Sequence, residues 1–443
     1  MGIEICTLGG YNEVGRNSTV IKVDDEVVIL DLGIHLESYI KYTKDEDIIK
    51  VSGKDLIKVG AVPDISKIKK WQSQVIAIIP SHAHLDHIGA IPYLSNHFNA
   101  DIFCTPFTAA VIKEILKNEN LKIHNKIIPL NEDTTYKLSE NIKVEFIHIT
   151  HSTPQSVMVA LHTKYGIILY ANDYKFDLYP TLGKTPNFER LKELGQKGIL
   201  ALICESTYAS DQRKTPSESV AKDMLRDVLL GTNSKGKAII ITTFSSHLAR
   251  LKSIIEFSKK LNRKILFLGR SLARYVHAGE DMNIINFSSD VQIIKYRKKI
   301  KRILKKIQKN KSKYVLVVTG HQGEPKSTLS RMVYDKGTFI FDPEDFVIFS
   351  CKVIPTPTNI ENRLVLETKL NELGVRIFRD VHVSGHAARY DMRDLINMVH
   401  PHHIFPSHGN IEMTASLASL AQEMGYKKDQ IHVMRDGQFL KLI

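Results

Sequence analysis

Residues 78–94 read "IIPSHAHLDHIGAIPYL" and place His82, His84, Asp86 and His87 within six positions, directly after an apolar run. "VIAIIP" (75–80) has the pattern of a buried strand. His82 and His84 therefore fall at its end, where backbone can bend around an ion, and Asp86 and His87 open the next segment, where an aspartate also suits a helix N-terminus. Neutral imidazoles with a carboxylate suit Zn²⁺, and the donors are too many for one tetrahedral ion that keeps a water position, so two ions are predicted. Exposed histidines around a capped helix are the bland alternative.

On either side, short β-rich runs alternate with helical segments: "STVIKVDDEVVILDLG", "NIKVEFIHIT", "YGIILYANDYKFD" and "ILALICEST". This is the texture of an α/β protein with its loops at strand ends. From about residue 216, long amphipathic helices separate the apolar strands "KAIIITTF", "RKILFLG" and "KYVLVVTGHQG", which reads as a second parallel α/β unit. A third block, "VRIFRDVHVSGHA" and "HHIFPSHGN", returns to short strands ending in histidine-rich loops. The dense basic run "YRKKIKRILKKIQKNKSK" (296–313) reads as a solvated helix face.

The 443 residues exceed one ordinary core and predict two domains, or one interrupted by another. No stretch offers the ~18 uninterrupted apolar residues of a membrane span, and the start "MGIEICTLGG" is not a signal sequence, so a soluble cytoplasmic protein is expected. Cys6, Cys104, Cys204 and Cys351 are far apart and read as small buried residues. A net charge of +13 favours a polyanionic partner, with a merely basic surface as the plain alternative.

A metal pair needs more donors than the opening stretch holds. His151 follows the alternating "VEFIHIT", Asp173 follows "GIILYAN", and His408 sits in "IFPSHGN", all at strand ends; the two oxygens of Asp173 could bridge the ions. His148 is expected to point into the core. Taken singly, each of these residues reads as structural, and only their joint pattern carries the inference.

Those motifs resemble the metallo-β-lactamase superfamily, whose αββα sandwich holds metals at strand ends. With "LGGYNEVGRNSTV", "THSTPQS", "CESTYAS", "TTFSSHLAR", "GRSLAR", "VTGHQGEPKSTLSRM" and "HVSGHA", the chain is similar to the β-CASP nucleases, most of all the ribonuclease J family in its short archaeal-type form. The resemblance implies that His82, His84 and His151 hold one zinc and Asp86, His87 and His408 the other, with Asp173 between them and Asp31 bracing the loop. It implies His386 as general acid and Glu205 as its partner; a plain turn histidine is the alternative for His386. The pair of Zn²⁺ ions and His386, acting with Asp86 and Asp173, would hydrolyse RNA phosphodiesters to 5′-phosphate and 3′-hydroxyl products.

The resemblance also implies nucleotide contacts from His382, Val383, Ser384, Gly385 and His386 and from Ser245 and Ser246. A pocket for a 5′-monophosphate end would make the enzyme a 5′-to-3′ exonuclease with some endonuclease activity, acting on single-stranded RNA in decay or maturation. The implied domains are a metallo-β-lactamase domain over 1–207 and 377–443 with a β-CASP domain inserted over 208–376, the RNA running in the groove between them.

Three departures qualify the transfer. Asn172 stands where a glycine is common, a change expected to shift the loop without removing the ligand. His321 stands where a serine is common. The chain stops soon after "HVMRDGQFLKLI", which leaves a homodimer rather than a bacterial-style tetramer as the assembly to test. Residues 37–66 are expected to form a lip over the site. The rivals are a polyadenylation-type β-CASP endonuclease, a lactonase or thioesterase of the same superfamily, and a non-catalytic RNA-binding protein, which predicts lost ligands.

Overall fold

The computed structural model describes residues 1–43, 51–335, 337–354 and 356–443, and these fall into two compact units. One comprises residues 1–178, 184–215 and 385–443, the other 179–183 and 216–384. The divisions thus lie at 215/216 and 384/385, against the sequence boundaries 207/208 and 376/377. Hydrogen bonds account for both shifts. Thr215 donates its N–H to Asp391 (2.8 Å) and its hydroxyl to the His386 carbonyl (2.7 Å), which ties 208–215 to the first unit. Ser350 and Arg250 donate to the Val381 carbonyl at 2.8 and 3.3 Å, which ties 377–384 to the second.

The first unit is built on two sheets. One runs in the order Gln438–Lys441, Ile3–Gly9, Ser18–Val23, Glu26–Leu30, Val75–Ile79, Asp101–Cys104, Ile127–Pro129. The other runs His403–Ser407, Ile199–Glu205, Gly166–Ala171, Val157–Thr163, Lys143–His148, Thr134–Lys137. Strand side chains alternate between faces. Ile168, Tyr170 and Ile203 meet Ile5, Val28 and Ile79 between the sheets. Leu169, Leu202 and Cys204 turn outward under the helices Phe188–Lys197, Arg389–Val399 and Ile411–Glu423. On the other sheet, helix Pro106–Glu119 buries Phe107, Val111 and Ile112.

The strand His403–Ser407 explains how His408 joins residues far earlier in the chain. His403–Ser407 pairs in parallel with Ile199–Glu205, with Glu205 opposite Ser407, so His408 emerges beside Ser206. Pro406 is tolerated there because this strand is the sheet edge, where a missing N–H breaks no ladder.

The second unit is one six-stranded parallel sheet, ordered Val291–Ile294, Lys264–Leu268, Tyr314–Val318, Ile239–Thr242, Phe346–Phe349, Arg376–Phe378. Its strands are near-continuous apolar runs, as expected where helices cover both faces. In such sheets ligands bind beyond the carboxyl ends of the strands. Those ends carry Ser245-Ser246 after Thr242, Gly269 after Leu268, and Gly320-His321 after Val318.

The 37–66 segment contains short helices Leu36–Tyr42 and Gly53–Lys58. Tyr39 reaches the hydroxyl of Tyr93 at 3.0 Å, while positions 44–50 of the predicted lip lie outside the described residues. Among the described residues, no helix is long and apolar enough to cross a membrane. All four cysteines are buried, and burial pushes the thiols of Cys6, Cys104 and Cys351 up to about 12.

Candidate metal centre and the groups around it

The loop "LDLG" sets the floor of the site. Asp31 is wholly buried and accepts from Ser81 N–H (2.6 Å), Ser81 hydroxyl (3.0 Å), Tyr170 hydroxyl (2.8 Å) and His87 Nδ1 (2.6 Å). Gly33 is required by close approach. A Cβ there would lie 1.6 Å from the Asp86 carbonyl oxygen, and only glycine lets the two chain segments meet. Asp31, Asp173 and His408 all hold left-handed backbone, with φ of 58°, 60° and 49°. For side-chain-bearing residues this is a strained state, of order 1–3 kcal/mol each, and such strain gathers at functional sites.

The predicted donors converge. His82, His84, His151 and Asp173 form one cluster and Asp86, His87, Asp173 and His408 another, each with its ligating atoms within 4.8 Å of one another. Asp173 is common to both. Its Oδ2 lies 3.2 Å from His87 Nε2 and 3.6 Å from the Nε2 atoms of His82 and His151; its Oδ1 lies 3.5 Å from His408 Nε2.

The outer edge of the cage selects the tautomers. His151 Nδ1 donates to the Gly385 carbonyl (2.6 Å), His408 Nδ1 to Asn17 Oδ1 (2.7 Å), and His87 Nδ1 to Asp31. Each imidazole then turns an Nε2 lone pair inward, the arrangement a metal-binding histidine needs. Gly385 serves this directly, because a Cβ would sit 1.9 Å from Ser152 Oγ and block the carbonyl's approach to His151.

These residues fit a cation on three counts. His84 Nδ1 stands 3.0 and 3.1 Å from the Nε2 atoms of His82 and His151; ligands of one tetrahedral zinc stand ~3.3 Å apart at ordinary Zn–N lengths. Burial drives the imidazoles neutral, His82 and His151 well below their usual range and His84 to about 4, the form that ligates. Among the described residues, Asp173 Oδ1 is buried with no hydrogen-bond partner, an orphaned anionic oxygen that a metal ion would satisfy. Around His87, burial opposes charge, but Asp173, Asp31 and Asp86 outweigh it and call for a positive charge at that ring, whether proton or metal.

His386 and Glu205 form a separate dyad. His386 Nδ1 lies 2.7 Å from Glu205 Oε2, and Glu205 Oε1 accepts from the N–H groups of Tyr174 (2.8 Å) and Ala387 (3.3 Å). The donor types of Asp173, Glu205 and His386 would also suit an ion, but the His386–Glu205 hydrogen bond already engages the nitrogen that would bind it. The ring of His386 stacks on His408 at 5.7 Å and meets His151 edge-on at 5.0 Å. Burial would lower its pKa, yet Glu205 and Asp173 prevail and raise it to about 9.

Known proteins match this arrangement over the whole chain. The family model described as "Metallo-beta-lactamase superfamily" matches residues 11–186, "Ribonuclease J, beta-CASP domain" matches 236–368, and "Zn-dependent metallo-hydrolase RNA specificity domain" matches 374–434. A Ribonuclease J of Methanocaldococcus jannaschii is 43% identical over 99% of both chains. One from Pyrococcus abyssi is 42% identical over 99% of this chain and 97% of its own. The chain belongs to the ribonuclease J family. Its fold is accordingly a metallo-β-lactamase domain with an inserted β-CASP domain, and the family consists of metal-dependent ribonucleases. Ribonuclease J 1 of Streptococcus pyogenes, 30% identical, is matched over 74% of its length. A crystal structure of a protein of unknown function from Enterococcus faecalis V583 superposes with a TM-score of 0.62 at 16% identity, covering 99% of this chain and 100% of that one, and shows the fold alone.

Against the ribonuclease J pattern, Asn172 has a local explanation. It donates to the Tyr170 hydroxyl (2.9 Å) and accepts from Ser407 (3.2 Å), so its side chain links two strand ends below Asp173. The left-handed residue is Asp173 itself, and position 172 does not need glycine's freedom. His148 is a satisfied buried histidine, held by Glu132 at 2.7 Å and the Lys184 carbonyl at 3.0 Å.

The predicted RNA contacts divide between the units. Gly385 and His386 belong to the first; Ser245, Ser246, His382, Val383 and Ser384 belong to the second. Ser245 bonds Ser271 at 2.8 Å, and Phe244 lies against His321 at 4.4 Å and near His382 at 6.3 Å. Val383 is buried, leaving only its backbone for a nucleotide.

Two residues escaped the sequence reading. Asn17, in the quoted motif "LGGYNEVGRNSTV", holds His408 and also approaches the Asp86 carbonyl (3.2 Å) and His87 Nε2 (3.1 Å). Arg250 is fully buried and paired through two nitrogens with Glu218 at 2.6 and 2.8 Å, while reaching Ser350, the Val381 carbonyl and His382. It closes the motif "TTFSSHLAR" and lies inside the helix Leu248–Lys260. Nothing in the local sequence separates a buried arginine from an exposed one.

Proposed function

We propose that this chain is a zinc-dependent ribonuclease that hydrolyses single-stranded RNA from 5′-monophosphate ends in the 5′-to-3′ direction, with some endonuclease activity, in cytoplasmic RNA decay or maturation. Two Zn²⁺ ions per chain are the proposed cofactors and a homodimer the proposed assembly. The orphaned Oδ1 of Asp173, set among inward-facing imidazoles, carries the two-metal reading.

His82, His84 and His151 would hold one ion and Asp86, His87 and His408 the other, with Asp173 shared. A bound zinc pair supplies water acidic enough to attack at neutral pH and positive charge against the scissile phosphate. The protein's own groups do the rest. Asp31, Asn17 and the Gly385 carbonyl keep the imidazoles aimed. Glu205 anchors His386 by Nδ1 and holds its proton there, leaving the other ring nitrogen to protonate the departing 3′ oxygen. The 2′-hydroxyl takes no part in such a hydrolysis, so preference for RNA must come from binding surfaces such as Ser245, Ser246 and His382 to Ser384.

The test is to incubate purified protein with 5′-monophosphate, 5′-triphosphate and circular RNA, with and without a chelator, and to assay bound metal. Mononucleotide release confined to the monophosphate form supports the exonuclease. Equal cleavage of circular RNA would turn the reading toward an endonuclease, and chelator-insensitive activity would sink the metal mechanism.

A further inference from the structure

The basic run of the second unit folds as the helix Arg297–Ile307, "RKKIKRILKKI", held down by buried Ile300, Leu304 and Ile307. Seven of its eleven residues are Lys or Arg and none is acidic. That composition works against the helix. Cations in the first turn oppose the macrodipole, and like charges three and four residues apart repel. A surface helix that needs only solubility does better with mixed charges, so this one calls for an external anion.

The cations are also organised. Lys299, Arg302 and Lys306 follow one another at spacings of three and four and so share a face, with Lys295 leading into it. Beside them runs the edge strand Val291–Ile294. Here lies a cavity of about 490 Å³ whose wall includes Lys295, Tyr296, Lys299, Arg302, Lys306 and His277, with no carboxylate in it. Tyr296 is 54% exposed, and the ammonium groups of Lys295 and Lys299 lie 5.1 and 5.8 Å from its ring centre. Among the described residues, Lys295, Lys299, Arg302 and Lys306 have no carboxylate partner.

We propose that this cavity is an additional binding site for single-stranded RNA, with phosphates on Lys295, Lys299, Arg302 and Lys306 and a base stacked on Tyr296. A positive groove beside an exposed aromatic ring is how proteins hold single strands without reading sequence. The concave wall does not suit a flat lipid surface, and an acidic peptide would meet the cations but leave the tyrosine face unused. The inference takes its choice of polyanion from the ribonuclease reading, but none of its residues belongs to the clusters around Asp173.

The experiment measures fluorescence anisotropy of a long unstructured RNA with the full-length protein in chelator, where binding is read without cleavage. Lys299→Gln with Arg302→Gln should weaken binding roughly tenfold and flatten the salt dependence by about 1.4 in log–log slope, ~0.7 for each lost contact. Tyr296→Ala should weaken it roughly tenfold as well, and Tyr296→Phe should restore it. Turnover of a short oligonucleotide by the metal-loaded variants should match the parent. Unchanged affinity and slope in the double variant overturn the site. Equal binding of polyglutamate, or of phosphatidylserine vesicles, with the same dependence on Tyr296 overturns the choice of RNA. A protein that binds RNA in this way but cleaves none would retain the site while sinking the ribonuclease reading.

Discussion

The imidazoles around Asp173 and the cations along Arg297–Ile307 are two clusters of titratable side chains built in opposite ways. In the first, the residues are buried or half-buried, and the outer nitrogens of His87, His151 and His408 are each held by a named acceptor. In the second, charged side chains stand exposed over a three-residue apolar stripe. Fixed, desolvated groups suit bond-making chemistry because their orientation is settled before the substrate arrives. Flexible, hydrated cations suit a chain of phosphates of any sequence.

The contrast yields a graded set of outcomes. Asp173→Asn leaves the shape but removes the shared anion, so cleavage should fall by at least ~10³-fold together with loss of metal in elemental analysis. Retained metal with full activity would break the shared-ligand account. His386→Ala should lower kcat by about 10²–10⁴-fold while metal content holds, since the role proposed for its ring is to donate a proton and not to ligate. Unchanged turnover would place the general acid elsewhere.

Asn17→Ala should weaken metal binding by ~10–100-fold, read by competition with a chromogenic chelator, because the His408 imidazole loses the acceptor that aims it. Glu205→Gln tests the dyad by pH. Glu205 is among the groups that raise His386 to about 9. A general acid works only below its own pKa, so the alkaline limb of kcat should lie at or below that value, lower still with cations beside Asp173, and Glu205→Gln should move it further down. A limb that stays put would show that the carboxylate does not support the proton. The smallest effect separates the two regions by salt: raising ionic strength should weaken binding of RNA in chelator and leave metal content unchanged.

The legibility of the two units differed for a physical reason. Strand-end histidines were readable because a buried strand is a continuous apolar run and the ligands follow it directly, as after Val75–Ile79 and His403–Ser407. The separation of His148 from His151 was also readable, since alternation along Lys143–His148 marks a strand and His151 lies beyond it. Asn17 was not, because its work consists of two hydrogen bonds to residues distant in the chain. Nor was Arg250, where burial depends on Glu218 and Ser350 arriving from separate elements. The unit boundaries moved by the same kind of long-range hydrogen bond, made by Thr215 and Val381.

By itself, then, the sequence determined the fold class, the strand ends and the types of donor, because apolar periodicity and local spacing are properties of neighbouring residues. Tertiary structure alone decided that one oxygen of Asp173 is left without a hydrogen-bond partner among the described residues, and which nitrogen each imidazole turns inward. It also decided that three cations and a tyrosine of the basic run, with Lys295 just before it, face one cavity. Those outcomes depend on where a parallel strand pairing and a buried acceptor bring distant backbone together, and no local pattern of residues encodes that distance.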